Sequence, residues 1–311
     1  MTLLIDINQP GWMTDDELRE TVATQAPEIE IRCGAPTEAM PGVTMLAVSA
    51  LRPGVVAHLP DLKLVQKLGA GVETIVGDPE LPPQVRVARL KPDAPAREIA
   101  EYCVAYALRR QRNMAQHEAD QAAQRWAPVG PLSAVRMTVG VLGLGHIGAR
   151  VARAFTALGF RVIGWSRSPK EIEEVDCRAG AAALPEMLGA CDYVASVLPS
   201  TAATRDLFDA ALLSRMKPSA LLINVGRGDL IVEADLLAAL DADRLGGAVL
   251  DVFREEPLPP GHPFWTHPKI TVTPHVSGWR VDDGVVDVAE NYRRLSAGEP
   301  LLHEVDRAEG Y

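Results

Sequence analysis

The stretch RMTVGVLGLGHIGARVARAFTALG, residues 136–159, decides the fold of this chain. It opens with an apolar run that is typical of a buried strand, and it closes with a helical segment. Between the two, Gly143, Gly145 and Gly148 form the spacing G-x-G-x-x-G. In a strand–turn–helix context this spacing predicts the first crossover of a parallel sheet that binds a dinucleotide.

Each glycine has its own role in this prediction. Gly143 permits the tight turn, Gly145 lets the backbone approach a pyrophosphate, and Gly148 lets helix and strand pack closely. The N-terminus of the helix supplies free N–H groups and a partial positive charge for the phosphates. The alternative is that these are ordinary turn glycines. The residues predicted here to contact the cofactor are Gly143, Gly145, His146, Ile147 and Gly148.

The end of the following strand indicates which dinucleotide is bound. NAD enzymes usually place an Asp or Glu about 20 residues after the glycines to bind the ribose 2′-OH. This chain reads Ser166-Arg167-Ser168 at that point, with no carboxylate. An Arg with two hydroxyl groups suits the 2′-phosphate of NADP. We therefore predict that these three residues bind NADP(H), with NAD(H) as the alternative cofactor; the plainer interpretation is a solvated Arg at a loop tip.

Strands and helices alternate along most of the chain, which predicts parallel pairing through crossover connections and an α/β fold. A capping-box spacing at Thr14 and Glu17 predicts a helix start. Residues 97–118, which lack Gly and Pro, predict one long helix, and a last helix is expected from about residue 284. The predicted strands are 2–7, 29–33, 44–49, 64–68, 136–142, 161–165, 193–198, 220–225, 247–251 and 270–273.

Composition narrows the class of protein. The length of 311 residues allows two domains, and the net charge of −10, without long charged runs, argues against nucleic acid and membrane surfaces as partners. No apolar run approaches the roughly 20 residues of a spanning helix, and the start of the chain does not have the pattern of a signal peptide. We expect a cytoplasmic protein without a metal site, whose scattered cysteines are reduced core thiols: Cys33, Cys103, Cys177 and Cys191.

Three polar residues follow apolar runs in the C-terminal third of the chain. Arg227 lies in NVGRGDL, Glu256 in LDVFREEP and His275 in TPHVSGW, 29 and then 19 residues apart. A guanidinium grips a carboxylate bidentately and polarises a carbonyl. A His exchanges protons near neutral pH, and a carboxylate on its second ring nitrogen fixes the tautomer. Taken singly, each residue is more simply a turn, loop or structural residue; together they predict chemistry at C2 of a 2-keto or 2-hydroxy acid.

The whole chain resembles the D-isomer-specific 2-hydroxyacid dehydrogenases, especially their glyoxylate/hydroxypyruvate reductase A branch. This resemblance implies NADPH-dependent reduction of a small 2-keto acid to the D-2-hydroxy acid, with a hydride from nicotinamide and a proton from His275. The motifs that carry it are KLGAGVETI at 67–75, VLGLGHIG at 141–148, LPSTAAT at 198–204, NVGRGDL at 224–230, LDVFREEPLPP at 250–260, TPHVSGW at 273–279 and VDRAEGY at 305–311.

The resemblance also implies an architecture. Two Rossmann-like, doubly wound domains are expected, with the active site in the cleft between them. Residues 1–104 and 284–311 would form a flavodoxin-like, substrate-binding (catalytic) domain, and residues 105–283 the NAD(P)-binding domain. The long helix at 97–118 would contribute to the interface of a homodimer.

Individual roles follow from the same resemblance. Arg227, Glu256 and His275 match the catalytic residues, and Asp251 matches an Asp that holds the nicotinamide carboxamide. Further cofactor contacts are implied for Leu198, Pro199, Thr204, Val225 and Gly226. Substrate contacts are implied for Leu68, Gly69, Ala70, Gly71, Arg227, His275 and Trp279.

Three positions depart from the family pattern. Glu73 replaces an Asp, Ser49 lies near the point where close relatives carry a Trp, and Trp279 replaces a smaller residue. The last two leave open which substrate side chain the protein accepts.

Two alternative functions remain: oxidation of another small anion of the phosphite type, and a dinucleotide-sensing interaction protein. Formate oxidation is disfavoured because those enzymes pair Gln with His where this chain has Glu256, and no recruitment segment supports the sensing role.

Overall fold

The computed structural model describes residues 1–9, 12–281 and 283–307. The chain divides into two compact units, Met1–Ala94 with Arg280–Tyr311, and Pro95–Trp279. The first unit is therefore built from both ends of the chain. The last four residues of the motif VDRAEGY lie outside the described residues.

The first unit contains a five-stranded parallel sheet in the order β2-β1-β3-β4-β5. This is the flavodoxin-like order, in which the direction of winding reverses between β1 and β3. The four strands predicted in this region are confirmed, whereas β5 was not predicted. The strands are β1 Thr2–Asp6, β2 Glu30–Cys33, β3 Val43–Val48, β4 Leu64–Lys67 and β5 Arg86–Arg89.

Helices of the first unit cover this sheet with apolar side chains. The predicted capping box is present at the start of α1 (Asp15–Gln25), since the Thr14 hydroxyl accepts from the Glu17 amide and Glu17 accepts from the Thr14 amide. The predicted last helix is α9 (Val286–Ala297), whose Val288 and Ala289 are buried in the same core as Leu18 of α1. A short helix, α2 (Glu73–Val76), follows β4.

The second unit contains a seven-stranded parallel sheet in the order β12-β11-β10-β9-β6-β7-β8. The two doubly wound parallel sheets confirm the predicted α/β class. The six strands predicted here are present, and β8, which forms one edge, was not predicted. The strands are β6 Thr138–Leu142, β7 Arg161–Ser166, β8 Val175–Ala179, β9 Tyr193–Ser196, β10 Leu221–Asn224, β11 Gly247–Leu250 and β12 Ile270–Val272.

The prediction of one helix over 97–118 is wrong. The chain forms α3 (Asp93–Gln111) and α4 (Met114–Ala122), with Asn113 between them in the left-handed region at φ 54°. Asn tolerates this conformation better than most residues, and its amide nitrogen donates to the Gly130 carbonyl at 3.3 Å. The remaining helices are α5 His146–Ala157, α6 Leu184–Ala190, α7 Ala210–Leu213 and α8 Glu233–Asp241.

The cysteines are only partly as expected. All four are free thiols, and Cys103 and Cys191 lie in the core. Cys33 is exposed and Cys177 half-buried, so the expectation of four core thiols is wrong for these two, which lie on edge strands β2 and β8. Among the described residues, no helix combines the length and the apolar character that a membrane crossing requires.

Candidate active site

Arg227, Glu256 and His275 follow three neighbouring strands. The order β12-β11-β10 places His275 after β12, Glu256 in the loop after β11, and Arg227 after β10. All strand pairs here are parallel, so their carboxyl ends lie along one edge of the sheet. This edge is where ligands bind in doubly wound sheets. The strand order therefore places the three predicted residues on the edge of the sheet where ligands bind.

Glu256 and His275 form a hydrogen-bonded pair. The His275 Nδ1 lies 2.7 Å from Glu256 Oε2, and the other carboxylate oxygen, Oε1, accepts the Phe253 amide at 2.9 Å. An ionised carboxylate only accepts, so Nδ1 carries the proton and Nε2 is left for exchange with a ligand. Burial pushes the pKa of Glu256 up, but hydrogen bonds from His275 and Phe253 and the charge of Arg227 hold it below its ordinary value.

A buried asparagine shapes the turn that presents Arg227. The Asn224 amide nitrogen donates to the Arg227 carbonyl at 2.8 Å, and its oxygen accepts from the Gly226 amide at 3.2 Å. The Arg227 Nη1 donates to the Gly226 carbonyl at 2.6 Å. Burial lowers the pKa of Arg227, while the charges of Glu256 and Asp229 oppose that shift. Asn224 was missed at the sequence level, although its place at the end of an apolar run is the signal that marks it.

Gly228 brings the Arg227 turn against the Glu256 loop. A Cβ at Gly228 would lie 1.9 Å from the Phe253 carbonyl carbon, which no side chain permits. The same loop carries Glu256 three residues later. The glycine is therefore required for the close approach of two backbone segments, one holding Arg227 and the other Glu256.

Asp251 is completely buried and is bonded to the loop that carries His275. Its Oδ1 accepts from the Thr273 hydroxyl at 2.6 Å and the Val276 amide at 2.9 Å, and its Oδ2 accepts from the Ser277 amide at 2.8 Å. These bonds fix the segment on both sides of His275. The contact of Asp251 with a nicotinamide carboxamide stays a prediction.

The glycine turn between β6 and α5 fits a pyrophosphate. Gly143 is at φ 94°, a conformation that favours glycine. A Cβ at Gly148 would lie 1.7 Å from the Gly143 carbonyl oxygen, whereas a Cβ at Gly145 would meet no atom within 4 Å. Gly145 is the N-cap of α5 and makes no side-chain cap bond, so the backbone there is open to a ligand. His146 and Ile147 form the first turn of α5.

Ser166 is the last residue of β7, the neighbour of β6, and Arg167 and Ser168 follow it. The Ser166 hydroxyl is buried and donates to the Ser168 carbonyl at 2.8 Å, while Arg167 and Ser168 are exposed. Ser166 thus shapes the turn, and its predicted direct contact with the cofactor stays a prediction. The exposed cation beside the glycine turn is compatible with a ribose phosphate.

The remaining predicted cofactor residues follow β9 and β10. The Thr204 hydroxyl donates to the Pro199 carbonyl at 2.6 Å, which closes the loop after β9. A Cβ at Gly226 would lie 2.4 Å from the Leu198 carbonyl oxygen, so the two loops touch. Val225 is buried directly after β10. These residues share the carboxyl edge of the sheet with the glycine turn and with Arg227.

The predicted substrate loop lies in the first unit, directly after β4. Gly69 is at φ 153°, and the Arg89 Nη1 donates to the Ala70 carbonyl at 3.1 Å. Leu68 is buried; Gly69, Ala70 and Gly71 are half-buried. Near this loop, the Ser49 hydroxyl donates to Asn8 Oδ1 at 2.6 Å, and the Lys67 ammonium donates to the Ser49 carbonyl. Asn8, Ser49 and Lys67 therefore form a polar cluster in this unit.

Trp279 ends the second unit. Its amide donates to the Glu98 carboxylate of α3 at 2.6 Å, and its side chain is 39% exposed. Its predicted role in substrate binding stays a prediction.

A dinucleotide turn and a proton-exchanging His–Glu pair on the carboxyl edge of one parallel sheet define a dehydrogenase with a doubly wound cofactor domain. A model of the D-isomer specific 2-hydroxyacid dehydrogenase NAD binding domain matches residues 104–277. The chain belongs to the D-isomer specific 2-hydroxyacid dehydrogenase family. A glyoxylate/hydroxypyruvate reductase A from Photorhabdus laumondii subsp. laumondii is 41% identical over 261 residues, 82% of this chain and 83% of the relative.

Two solved structures share the fold across the whole chain. A D-isomer specific 2-hydroxyacid dehydrogenase from Xanthobacter autotrophicus Py2, in complex with NADPH and MES, is 36% identical, with a TM-score of 0.91 over 100% of this chain and 99% of that one. An NADPH-dependent glyoxylate/hydroxypyruvate reductase from Sinorhizobium meliloti, in complex with NADP and sulfate, is 34% identical. Its TM-score is 0.89 over 100% of this chain and 99% of that chain.

Proposed function

We propose that this protein uses NADPH to reduce a small 2-keto acid, of the glyoxylate or hydroxypyruvate type, to the D-2-hydroxy acid. The observation that carries the proposal is the convergence of Arg227, Glu256 and His275 at the ends of three adjacent strands, with His275 Nδ1 on Glu256 at 2.7 Å. Family membership and the names of the relatives support the same reaction.

The residues of this chain have separate roles in the reaction. The Arg227 guanidinium binds the substrate carboxylate and polarises the C2 carbonyl. The glycine turn Gly143–Gly148 would hold NADPH, whose nicotinamide would supply the hydride to C2. His275 gives a proton to the resulting alkoxide from Nε2, while Glu256 accepts from Nδ1 and fixes the tautomer and the orientation of the ring. In the first unit, the substrate contacts of Gly69, Ala70 and Gly71 stay a prediction, whereas the Leu68 amide donates to the Val48 carbonyl at 2.8 Å.

The preference for NADP(H) rests on the turn after β7. Arg167 is exposed there, and the turn contains no carboxylate that would repel a 2′-phosphate. The relatives from Xanthobacter autotrophicus Py2 and Sinorhizobium meliloti are bound to NADPH and NADP. The second unit would hold this cofactor, and the first unit would be the substrate-binding domain.

A panel of 2-keto acids assayed with NADPH and with NADH tests the proposal. We expect NADPH oxidation with glyoxylate or hydroxypyruvate, a D-configured product from hydroxypyruvate, and slower turnover with NADH. His275→Ala should lower kcat by about 10²- to 10⁴-fold, the usual contribution of a general acid. His117, exposed on α4, supplies the control variant His117→Ala. Full activity in His275→Ala, or turnover of phosphite but of no keto acid, would refute the mechanism.

We also propose that the protein is a cytoplasmic homodimer that binds no nucleic acid. The net charge of −10 disfavours nucleic acid as a partner. Several large apolar side chains between α4 and β6 are exposed to solvent: Trp126, the most exposed at 98%, Val129, Leu132 and Val135. Such a concentration of exposed apolar side chains marks a protein–protein contact. A second copy of this chain is the occupant to which we assign it.

A further inference from the structure

His275 has an unusual backbone conformation. Its φ is +55°, in the left-handed region that non-glycine residues seldom adopt. Its amide donates to the Asp251 carbonyl at 2.9 Å and to the Thr273 carbonyl at 3.1 Å. A conformation of this kind persists only where the surroundings enforce it. The residues that enforce it therefore control where the His275 ring lies.

Asp251 makes several of the bonds that hold His275 in this conformation, but the donors to its carboxylate must themselves be held in place. Its carboxylate is fully buried and, within the described part of the chain, receives its bonds from Thr273, Val276 and Ser277 rather than from a cation. A buried carboxylate is costly unless its donors are held in place. Two of these donors are amides of the backbone, which are held by the chain itself. The third, the Thr273 hydroxyl, can rotate.

Tyr102 of α3 restricts the rotation of the Thr273 hydroxyl. Its hydroxyl lies 2.6 Å from the Thr273 Oγ1, which in turn donates to Asp251 Oδ1 at 2.6 Å. Thr273 has one proton, and the ionised carboxylate can only accept it, so Tyr102 must donate to Thr273. Burial raises the pKa of Tyr102, which keeps the phenol protonated and able to donate. The bonds thus run in one direction, from Tyr102 through Thr273 to Asp251.

Neighbouring residues of α3 hold the same segment. The Glu98 carboxylate accepts the Trp279 amide at 2.6 Å. A Cβ at Gly278 would lie 2.9 Å from the Ile99 side chain, so the backbone passes close against the helix. Glu98, Ile99 and Tyr102 lie within about one helical turn of each other, on one face. This face of α3 contacts the segment 273–279 on both sides of His275.

We propose that Tyr102 is a positioning residue for His275, acting through Thr273 and Asp251. By fixing the Thr273 hydroxyl, Tyr102 holds the Asp251 bonds that keep His275 in its left-handed conformation and its ring on Glu256. The inference rests on the proposed reductase function, because its consequence is the rate of proton transfer. Tyr102 touches neither substrate nor cofactor in this role.

The test compares the substitutions Tyr102→Phe and Thr273→Val with two controls. Tyr106→Phe makes the same change one turn further along α3, on a ring 4.6 Å from that of Tyr102. Thr273→Ser keeps the hydroxyl and should restore the wild-type rate. We expect Tyr102→Phe and Thr273→Val to lower kcat for glyoxylate about ten- to a hundredfold, as small misplacements of catalytic groups do. The KM for NADPH should rise by a smaller factor than kcat falls, because Asp251, the residue predicted to contact the nicotinamide, keeps its two backbone donors Val276 and Ser277.

Two further measurements separate the outcomes. The double variant should be no slower than Thr273→Val alone, because both changes break one chain of bonds. Hydrogen exchange of the amides in 273–279 should rise in Tyr102→Phe and not in Tyr106→Phe. Equal kcat and equal exchange in the two Phe variants would overturn the inference. A wild-type protein inactive on every keto acid would overturn the proposed function, while the exchange measurement, which needs no substrate, still decides whether Tyr102 anchors the segment.

Discussion

Among single residues, Glu256 makes the clearest prediction about pH. Its pKa is held below the usual 4.5 against the opposing effect of burial. A lowered carboxylate pKa means that the ionised form stabilises the fold above the ordinary pKa, and that this contribution is lost as the pH falls through the lowered value. We therefore expect the stability advantage of the wild type over Glu256→Gln to shrink below about pH 4.5.

Denaturant unfolding of the two proteins at several pH values measures this effect. Glu255→Gln is the matched control, because Glu255 is adjacent and exposed. Glu256→Gln should also slow reduction by up to about 10²-fold at neutral pH, since general acid catalysis by His275 loses its charged partner. If the stability difference between the wild type and Glu256→Gln grew as the pH fell, the ionised form of Glu256 would not be the form that stabilises the fold.

Arg167 makes the prediction about cofactor choice. It is exposed at the end of β7, next to the strand that carries the glycine turn. Arg167→Ala should lower kcat/KM for NADPH by about ten- to a hundredfold, the effect of one charge-assisted hydrogen bond, and should leave the value for NADH nearly unchanged. Arg161→Ala, at the opposite end of β7, should change neither value. An equal loss with both cofactors would show that Arg167 does not recognise the 2′-phosphate.

Among secondary-structure elements, the turn between β6 and α5 contains two glycines with different roles, Gly148 in packing and Gly145 in ligand binding. Gly148→Ala would place a methyl group 1.7 Å from the Gly143 carbonyl oxygen, so we expect a loss of about 1–3 kcal/mol or more in the free energy of unfolding. Gly145→Ala would meet no protein atom within 4 Å, so the stability should stay within about 0.5 kcal/mol. The added methyl should instead weaken NADPH binding about tenfold.

Thermal unfolding and NADPH titration of both variants test this division, each variant serving as the control for the other. If Gly145→Ala bound NADPH as tightly as the wild type, the open space at the N-terminus of α5 would not be a ligand site. If Gly148→Ala were as stable as the wild type, the close packing of helix and strand would not depend on this glycine.

The sequence predicted most elements because their periodicity was strong. The long apolar runs of β6, β9 and β10 and the capping box at Thr14 are signals that act over a few neighbouring residues. The strands that were missed lack such a signal: β5 is RVAR, and β8 is VDCRA with half-buried side chains. The break at Asn113 was also missed: Asn tolerates the left-handed conformation, but its side-chain bond is to the Gly130 carbonyl, 17 residues away.

The candidate site shows the same limit. Arg227, Glu256 and His275 could be selected from the sequence because each directly follows or lies near the end of an apolar run. The supporting residues could not, because their roles arise only in three dimensions: Tyr102 meets Thr273 across 171 residues of sequence. Long-range hydrogen bonds leave no local pattern, so the sequence indicated the chemistry while the structure supplied the groups that hold it.

At the scale of the whole molecule, the exposed apolar side chains between α4 and β6 predict a dimer. Trp126 is 98% exposed and Leu132 56% exposed, values that are unusual for such large apolar groups. We expect the wild type to sediment with twice the chain mass of 33.5 kDa. Trp126→Ser with Leu132→Ser should sediment as the single chain, because the apolar contact is lost. Val286→Ser, which changes an exposed apolar residue of α9 in the first unit, is the control.

The sedimentation series must cover a range of concentrations, because a weakened dimer reappears at high concentration by mass action. Activity measured on the same samples then shows whether the catalytic groups of one chain suffice. Arg227, Glu256 and His275 all lie within the second unit of a single chain, so we expect the monomeric variant to keep most of its kcat. A wild type that sediments as a single chain at micromolar concentration would contradict the dimer, and a variant that stays dimeric would move the interface away from residues 126–135.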